Sequence, residues 1–194
     1  MTDGPVNQEH IAADGDVAAH DINRVTINYP TEARATLLRR LSERYAEEVA
    51  SGTTIGKTIE ALKLFLECMD GDGDIIGLDA KLKTAGWEDK LHEALRYKEF
   101  ANKQLMENSL YESAQQIYAC VMAMMQTLFR SKVLPIIESR GQRAAIEAAL
   151  HAEVIQPVFA ALEDNPLTMT QAQLLGLIYL LTGNCHIRWH PGRA

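Results

Sequence analysis

Residues 109–139 read SLYESAQQIYACVMAMMQTLFRSKVLPIIES, and the class of the whole fold turns on them. Ser109-Leu110-Tyr111-Glu112 has the S-x-x-E form of a capping box. In that motif the hydroxyl accepts one unpaired N–H at a helix start while the Glu reaches back to another. Beyond it, Ala114, Ile117, Val121, Met124, Met125 and Leu128 recur at three- and four-residue steps, which is one face of an α-helix. The spacing predicts a helix as far as Ser139, kinked or interrupted at Pro135 and stopped at Arg140-Gly141.

The same period continues on both sides. Residues 142–164 carry Ile146, Leu150, Val154 and Phe159, with Pro157 as a second interruption. Thr168-Met169-Thr170-Gln171 is a T-x-x-Q cap for a last helix holding Leu174, Leu175, Leu177, Ile178, Leu180 and Leu181. Gly183-Asn184 suits a left-handed stop, after which Cys185 to Trp189 (CHIRW) forms a short ordered segment. Toward the N-terminus, residues 87–106 present Leu91, Leu95, Phe100 and Leu105. Residues 75–85 form a short helix around Leu78, Ala80 and Leu82, closed by Gly86. Asp70 to Asp74 (DGDGD) is a turn by composition. A helix over residues 54–69 is expected to bury Ile55, Ile59, Leu62, Phe65 and Leu66. One over 31–50 presents Leu37, Leu38, Leu41, Tyr45 and Val49, with Ser51-Gly52 breaking between them. Arg24 to Tyr29 (RVTINY) is an extended lead-in, and residues 1–22 are an acidic stretch without apolar period, expected to be disordered. The reading is all-α: an irregular bundle of about six to seven helices, with a tail over 1–30 and a single helical domain over 31–190.

Composition narrows the function classes. The chain has 194 residues, 47% hydrophobic and 23% charged, with a formal charge of -7, so its field repels phosphate backbones and a direct nucleic-acid role is disfavoured. Cys68, Cys120 and Cys185 are too few for a disulfide framework and suit a reducing compartment, where Cys acts as a small hydrophobe. The best apolar run, Cys120 to Phe129, is about half of the roughly 20 residues a bilayer span needs, and the start lacks the character of a signal peptide. These readings predict a soluble, cytoplasmic protein with no membrane partner.

No cofactor or metal is expected. Gly52 to Thr58 (GTTIGKT) resembles a P-loop but has three residues between its glycines instead of four, and a helix precedes it where a strand is needed. Asp70, Asp72 and Asp74 match the first ligands of a calcium loop, yet Ile75 and Lys81 stand where Gly and Glu are required. Cys185, His186 and His190 raise zinc, but they fall within six residues and lack a fourth ligand at conventional spacing. Cys120 or Cys68 would have to come from a distant helix. Without a metal, Cys185 packs in the core, His186 bonds a backbone carbonyl and Trp189 covers apolar surface. As a nucleophile Cys185 gains nothing from adjacent His186, which points to the other side of an extended segment. His92 and His151 are lone helical histidines. Cys120, Met122, Met124 and Met125 form a soft face, more often core than groove. An enzyme is not expected.

Asp74 to Leu82 (DIIGLDAKL), Glu112 to Tyr118 (ESAQQIY) and Leu177 to Trp189 (LIYLLTGNCHIRW), in this order, resemble the C-terminal domains of bacterial ABC-three-component systems, a group that includes Lamassu-type antiphage defence. Lys98 to Lys103 and Phe129 to Ile137 also fit, so the resemblance covers residues 70–189. It implies a non-catalytic helical module that ties an effector to an SMC-like ABC ATPase, with DNA met only indirectly through the complex. A tail and one or two helices precede the module here in place of a large effector domain, which points to an adaptor or accessory subunit. The resemblance brings no catalytic residues. Glu112, Gln115, Cys185, His186 and Trp189 are the candidate residues, serving either the fold or a partner interface. The alternative is a self-contained, homo-oligomeric regulatory protein of antitoxin-like kind.

Overall fold

A computed structural model describes residues 31–68, 75–162 and 166–191. The expected tail, the extended lead-in and the DGDGD turn lie outside the described residues. Those described form α1 (Thr31–Ser51), α2 (Glu60–Leu66), α3 (Gly77–Thr84), α4 (Leu91–Asn108), α5 (Glu112–Leu128), α6 (Leu134–Glu138), α7 (Arg143–Ala149), α8 (Gln156–Ala161) and α9 (Gln171–Gly183), with no β-strand. The π-helical segment Phe129–Val133 joins α5 to α6, and a second, Leu150–Ile155, joins α7 to α8, so the described residues make seven continuous helices.

Both joints explain how a proline survives inside a helix. Pro135 and Pro157 each lack an N–H and each follow a π segment by two residues. The wider turn re-routes the carbonyl that a regular helix would leave clashing with the ring. The prolines therefore interrupt the hydrogen-bond pattern, as expected, while the helical path continues. The two π segments also pack against one another.

α5 and α9 form the centre. Every residue from Ser113 to Met125 except Gln116 is buried, as are Gly176 to Thr182, and a helix with so little exposed face belongs inside a protein. The Met-rich face is thus core. α1 and α2 lie on α5, while α3 and α4 lie on α9. The helix Glu112–Glu138, 27 residues long, has the length and composition to cross a membrane, contrary to the expectation from Cys120 to Phe129; in the fold other helices cover its α5 portion.

Several expected faces shift. Leu95 and Phe100 are exposed, and the line that meets α9 is Ala94, Ala101 and Leu105. The cause is close approach: a Cβ on Gly176 would overlap the Tyr97 carbonyl oxygen and come within 2.7 Å of the Ala101 Cβ. Small residues therefore occupy the crossing, and larger ones are turned outward. Val49 is exposed while Glu48 is buried, and Val158 rather than Phe159 continues inward from Val154. The helix expected from residue 54 starts only at Glu60, some way beyond the Schellman turn that ends α1. Gly52 adopts φ 67°, Gly52 N–H donates to the Val49 carbonyl, and Thr53 N–H donates to that of Glu48.

The caps shift too. Ser109 donates its hydroxyl to the Met106 carbonyl, and α5 begins at Glu112 with no capping side chain on Tyr111, so the expected capping box is absent. At α9 the box exists two residues later than expected: Thr170 Oγ1 accepts from Gln173 N–H at 3.2 Å, and Thr170 N–H donates to Gln173 Oε1 at 2.6 Å. At the far end Asn184 has φ -91°, and the left-handed residue is Cys185, at φ 65°.

Candidate functional site

The stretch 183–189 closes the molecule. Cys185 N–H donates to the Thr182 carbonyl and His186 N–H to that of Leu181, the two bonds of a Schellman motif. This turn swings the chain back across α2, α3 and α5. Asn184 Nδ2 donates to the Phe65 and Leu66 carbonyls at 2.9 and 3.2 Å, and His186 Nε2 lies 3.2 Å from the Glu67 carbonyl. The open end of α2, a helix of only seven residues, is therefore capped by side chains more than 100 positions away.

His186 bonds a backbone carbonyl, as the sequence suggests. Its ring is 3% exposed and tilts against Phe65 at 5.5 Å. Burial lowers its pKa, helped by the charges of Arg130 and Lys81 against the pull of the Glu67 and Phe65 carbonyls. The neutral imidazole then donates Nε2–H to Glu67.

Lys81 is the residue the sequence reading missed. It sits on α3, 1% exposed, and its Nζ donates to the Ile187 carbonyl at 2.9 Å. A buried ammonium needs such acceptors to offset lost hydration. Nothing local marks it, since Lys at that spacing on a short helix usually faces water.

Trp189 ends the segment, 3% exposed, with Nε1 donating to Thr182 Oγ1 at 2.9 Å. Its ring centroid lies 4.9 Å from that of Trp87 and 5.3 Å from that of Phe129. Arg143 stacks over the outer face of Trp87 at 4.7 Å and grips Asp89 with two nitrogens at 2.8 and 2.7 Å. Arg188, next to Trp189 in the chain, pairs with Glu138. A cleft of about 480 Å³ opens beside this cluster, lined by Arg140, Arg143 and Trp189 among others.

Gln115 holds the other end of α2, at its N-cap residue Ile59. It is buried, accepts Ile59 N–H at 2.7 Å, and donates Nε2 to the Lys57 and Ser109 carbonyls at 3.0 and 2.5 Å. One side-chain amide thus holds the P-loop-like stretch in an extended path along α5. Glu112 stands at the surface, where it accepts Arg44 at 3.0 Å and Gln116 at 3.0 Å. The candidates therefore fall into separate places: Cys185, His186 and Trp189 on the closing segment, Gln115 and Glu112 at the start of α5.

Cys185 is half-buried, which corrects the expected core position. Its Sγ lies 3.4 Å from Cys68 Sγ. Among the described residues no group of three or more His, Cys, Asp or Glu is placed to hold a metal.

The model of C-terminal domain 9 of the ABC-three component (ABC-3C) systems matches residues 77–189, more than half of the chain. The chain belongs to this family. The matched region of the ABC-3C domain starts on the first residue of α3 and ends on Trp189, so it spans the closing segment and most of the helices that segment touches. α1 and α2 lie ahead of it and pack onto its α5. No curated protein and no solved structure matches the chain.

Proposed function

We propose that this ABC-3C domain protein is a non-catalytic adaptor or accessory subunit of a prokaryotic antiphage defence complex of Lamassu-like kind. It works in the cytoplasm and docks onto an SMC-like ABC ATPase and its effector. The family match over residues 77–189 carries the reading. The chemistry-bearing side chains of the matched segment support it. Asn184, His186 and Trp189 are committed to capping and packing, so we read them, with Gln115, as holding the single helical unit 31–190 together and leave the outer faces for partners. One such face belongs to α4, where Leu95 and Met106, three turns apart, are 48% and 56% exposed, with Leu110 just beyond at 54%. The formal charge of -7 fits a subunit that meets DNA only through the ATPase.

The test is a tagged pull-down from the native host followed by mass spectrometry. Recovery of an SMC-like ATPase with a separate effector is the expected result. Recovery of the bait alone, at the mass of a homo-oligomer, would replace this reading with the self-contained regulatory one.

A further inference from the structure

Cys185 occupies the left-handed position of the Schellman turn, which glycine fills at least strain. That conformation aims its sulfur toward the start of α3, away from the core. There Sγ meets the Gly77 N–H at the first turn of α3, the Lys81 ammonium and the Cys68 thiol at 3.4 Å. Cys68 is exposed, two residues beyond α2. A thiol with a helix-start N–H and an ammonium on one side, and an accessible second thiol on the other, has the parts of a redox pair.

We propose that Cys68 and Cys185 form a reversible disulfide, with Cys185 as the peroxide-reactive thiol and Cys68 as the resolving one. Burial pushes the Cys185 thiol up, but the hydrogen bonds from Gly77 and Cys68 and the charge of Lys81 outweigh it and hold the group below its ordinary value. The thiolate attacks one oxygen of a hydroperoxide, the O–O bond breaks, and water or an alcohol leaves, giving a sulfenic acid on Cys185. Cys68 sulfur then attacks Cys185 sulfur, the S–O bond breaks, and water departs as the S–S bond forms. Two thiols lose two electrons and two protons, and one peroxide is reduced. A dithiol reductant reverses the step by exchange. Closure needs the sulfurs to approach from 3.4 Å to about 2.05 Å. The bond would staple the end of α2 to the closing segment, a link across 117 positions beside the Asn184 and His186 caps. Cys120, buried in α5, lies outside this chemistry.

The full-length protein, reduced and then freed of reductant, is treated with hydrogen peroxide, quenched with a maleimide in denaturant, and digested without reduction for mass spectrometry. The expected result is a Cys68–Cys185 peptide pair within one chain. The titratable thiols of the 194-residue chain fall from three to one and return to three with dithiothreitol. In Cys68→Ser, dimedone should trap a sulfenic acid at Cys185. Cys185→Gly, which suits the left-handed backbone and keeps the fold, should leave Cys68 unlinked. Three thiols persisting in the wild type at about tenfold peroxide excess, or links only between chains, would overturn the proposal. The wild-type readout stands whether or not either variant folds.

Discussion

The carboxylate of Glu48, buried in α1, accepts both the N–H and the hydroxyl of Ser113, at 3.1 and 2.5 Å. It caps α5 from another helix, the task that Ser109 leaves undone. Arg44 completes the corner, reaching Glu48 at 2.9 Å and Glu112 at 3.0 Å. An acidic group at a helix start also meets the positive end of the helix dipole.

Glu48→Ala strips the start of α5 of its acceptor and leaves the Ser113 donors buried, so it should cost about 2–3 kcal/mol. Glu48→Gln keeps an oxygen in place and should recover most of that. Urea unfolding of the two variants side by side checks the claim, and equal losses would contradict it.

Gly176 lies where α9 meets the Tyr97–Ala101 stretch of α4. Gly176→Ala, normally favourable in a helix, should here lower stability by about 1–3 kcal/mol, because backbone must move to admit one methyl group. A fall in Tm is expected, and an unchanged or raised Tm would show that the two helices are not so close.

Trp189 contributes both ring and N–H. Trp189→Ala should cost about 3–5 kcal/mol through the cavity left between Trp87 and Phe129. Trp189→Phe keeps much of the packing and loses the bond to Thr182, so about 1–2 kcal/mol is expected. Comparable losses for the two would mean the hydrogen bond matters more than the ring.

His186 predicts a pH dependence. Its folded pKa lies below the ordinary value of 6.5, so between the two values the unfolded chain holds more protons than the folded one. Stability then rises with pH in that window. It is complete above the unfolded value and is lost as pH falls toward the folded one. The urea midpoint should drop from pH 7.5 to pH 5.5, and His186→Gln, which can still donate to Glu67, should flatten the change. An equal slope in wild type and variant would move the effect to other groups.

The all-α class was legible in the chain by itself, because the three- and four-residue period of Ile117, Val121, Met124 and Leu128 is a property of neighbours along one helix. Both proline interruptions were legible for a local reason too, since proline lacks the N–H that a regular helix uses. The His186 contact with a carbonyl followed from its chemistry, since a buried imidazole needs a partner. Which residue caps which helix was decided only in three dimensions. Glu48 takes over from Ser109, Asn184 caps α2, and Gln115 straightens residues expected to be helical, because unpaired backbone groups accept any partner that packing brings near. The meeting of Cys68 with Cys185, and the burial of Lys81, likewise have no local signature. Both depend on the path by which the closing segment returns over α2 and α3, and that path is set by packing among residues more than 100 positions apart.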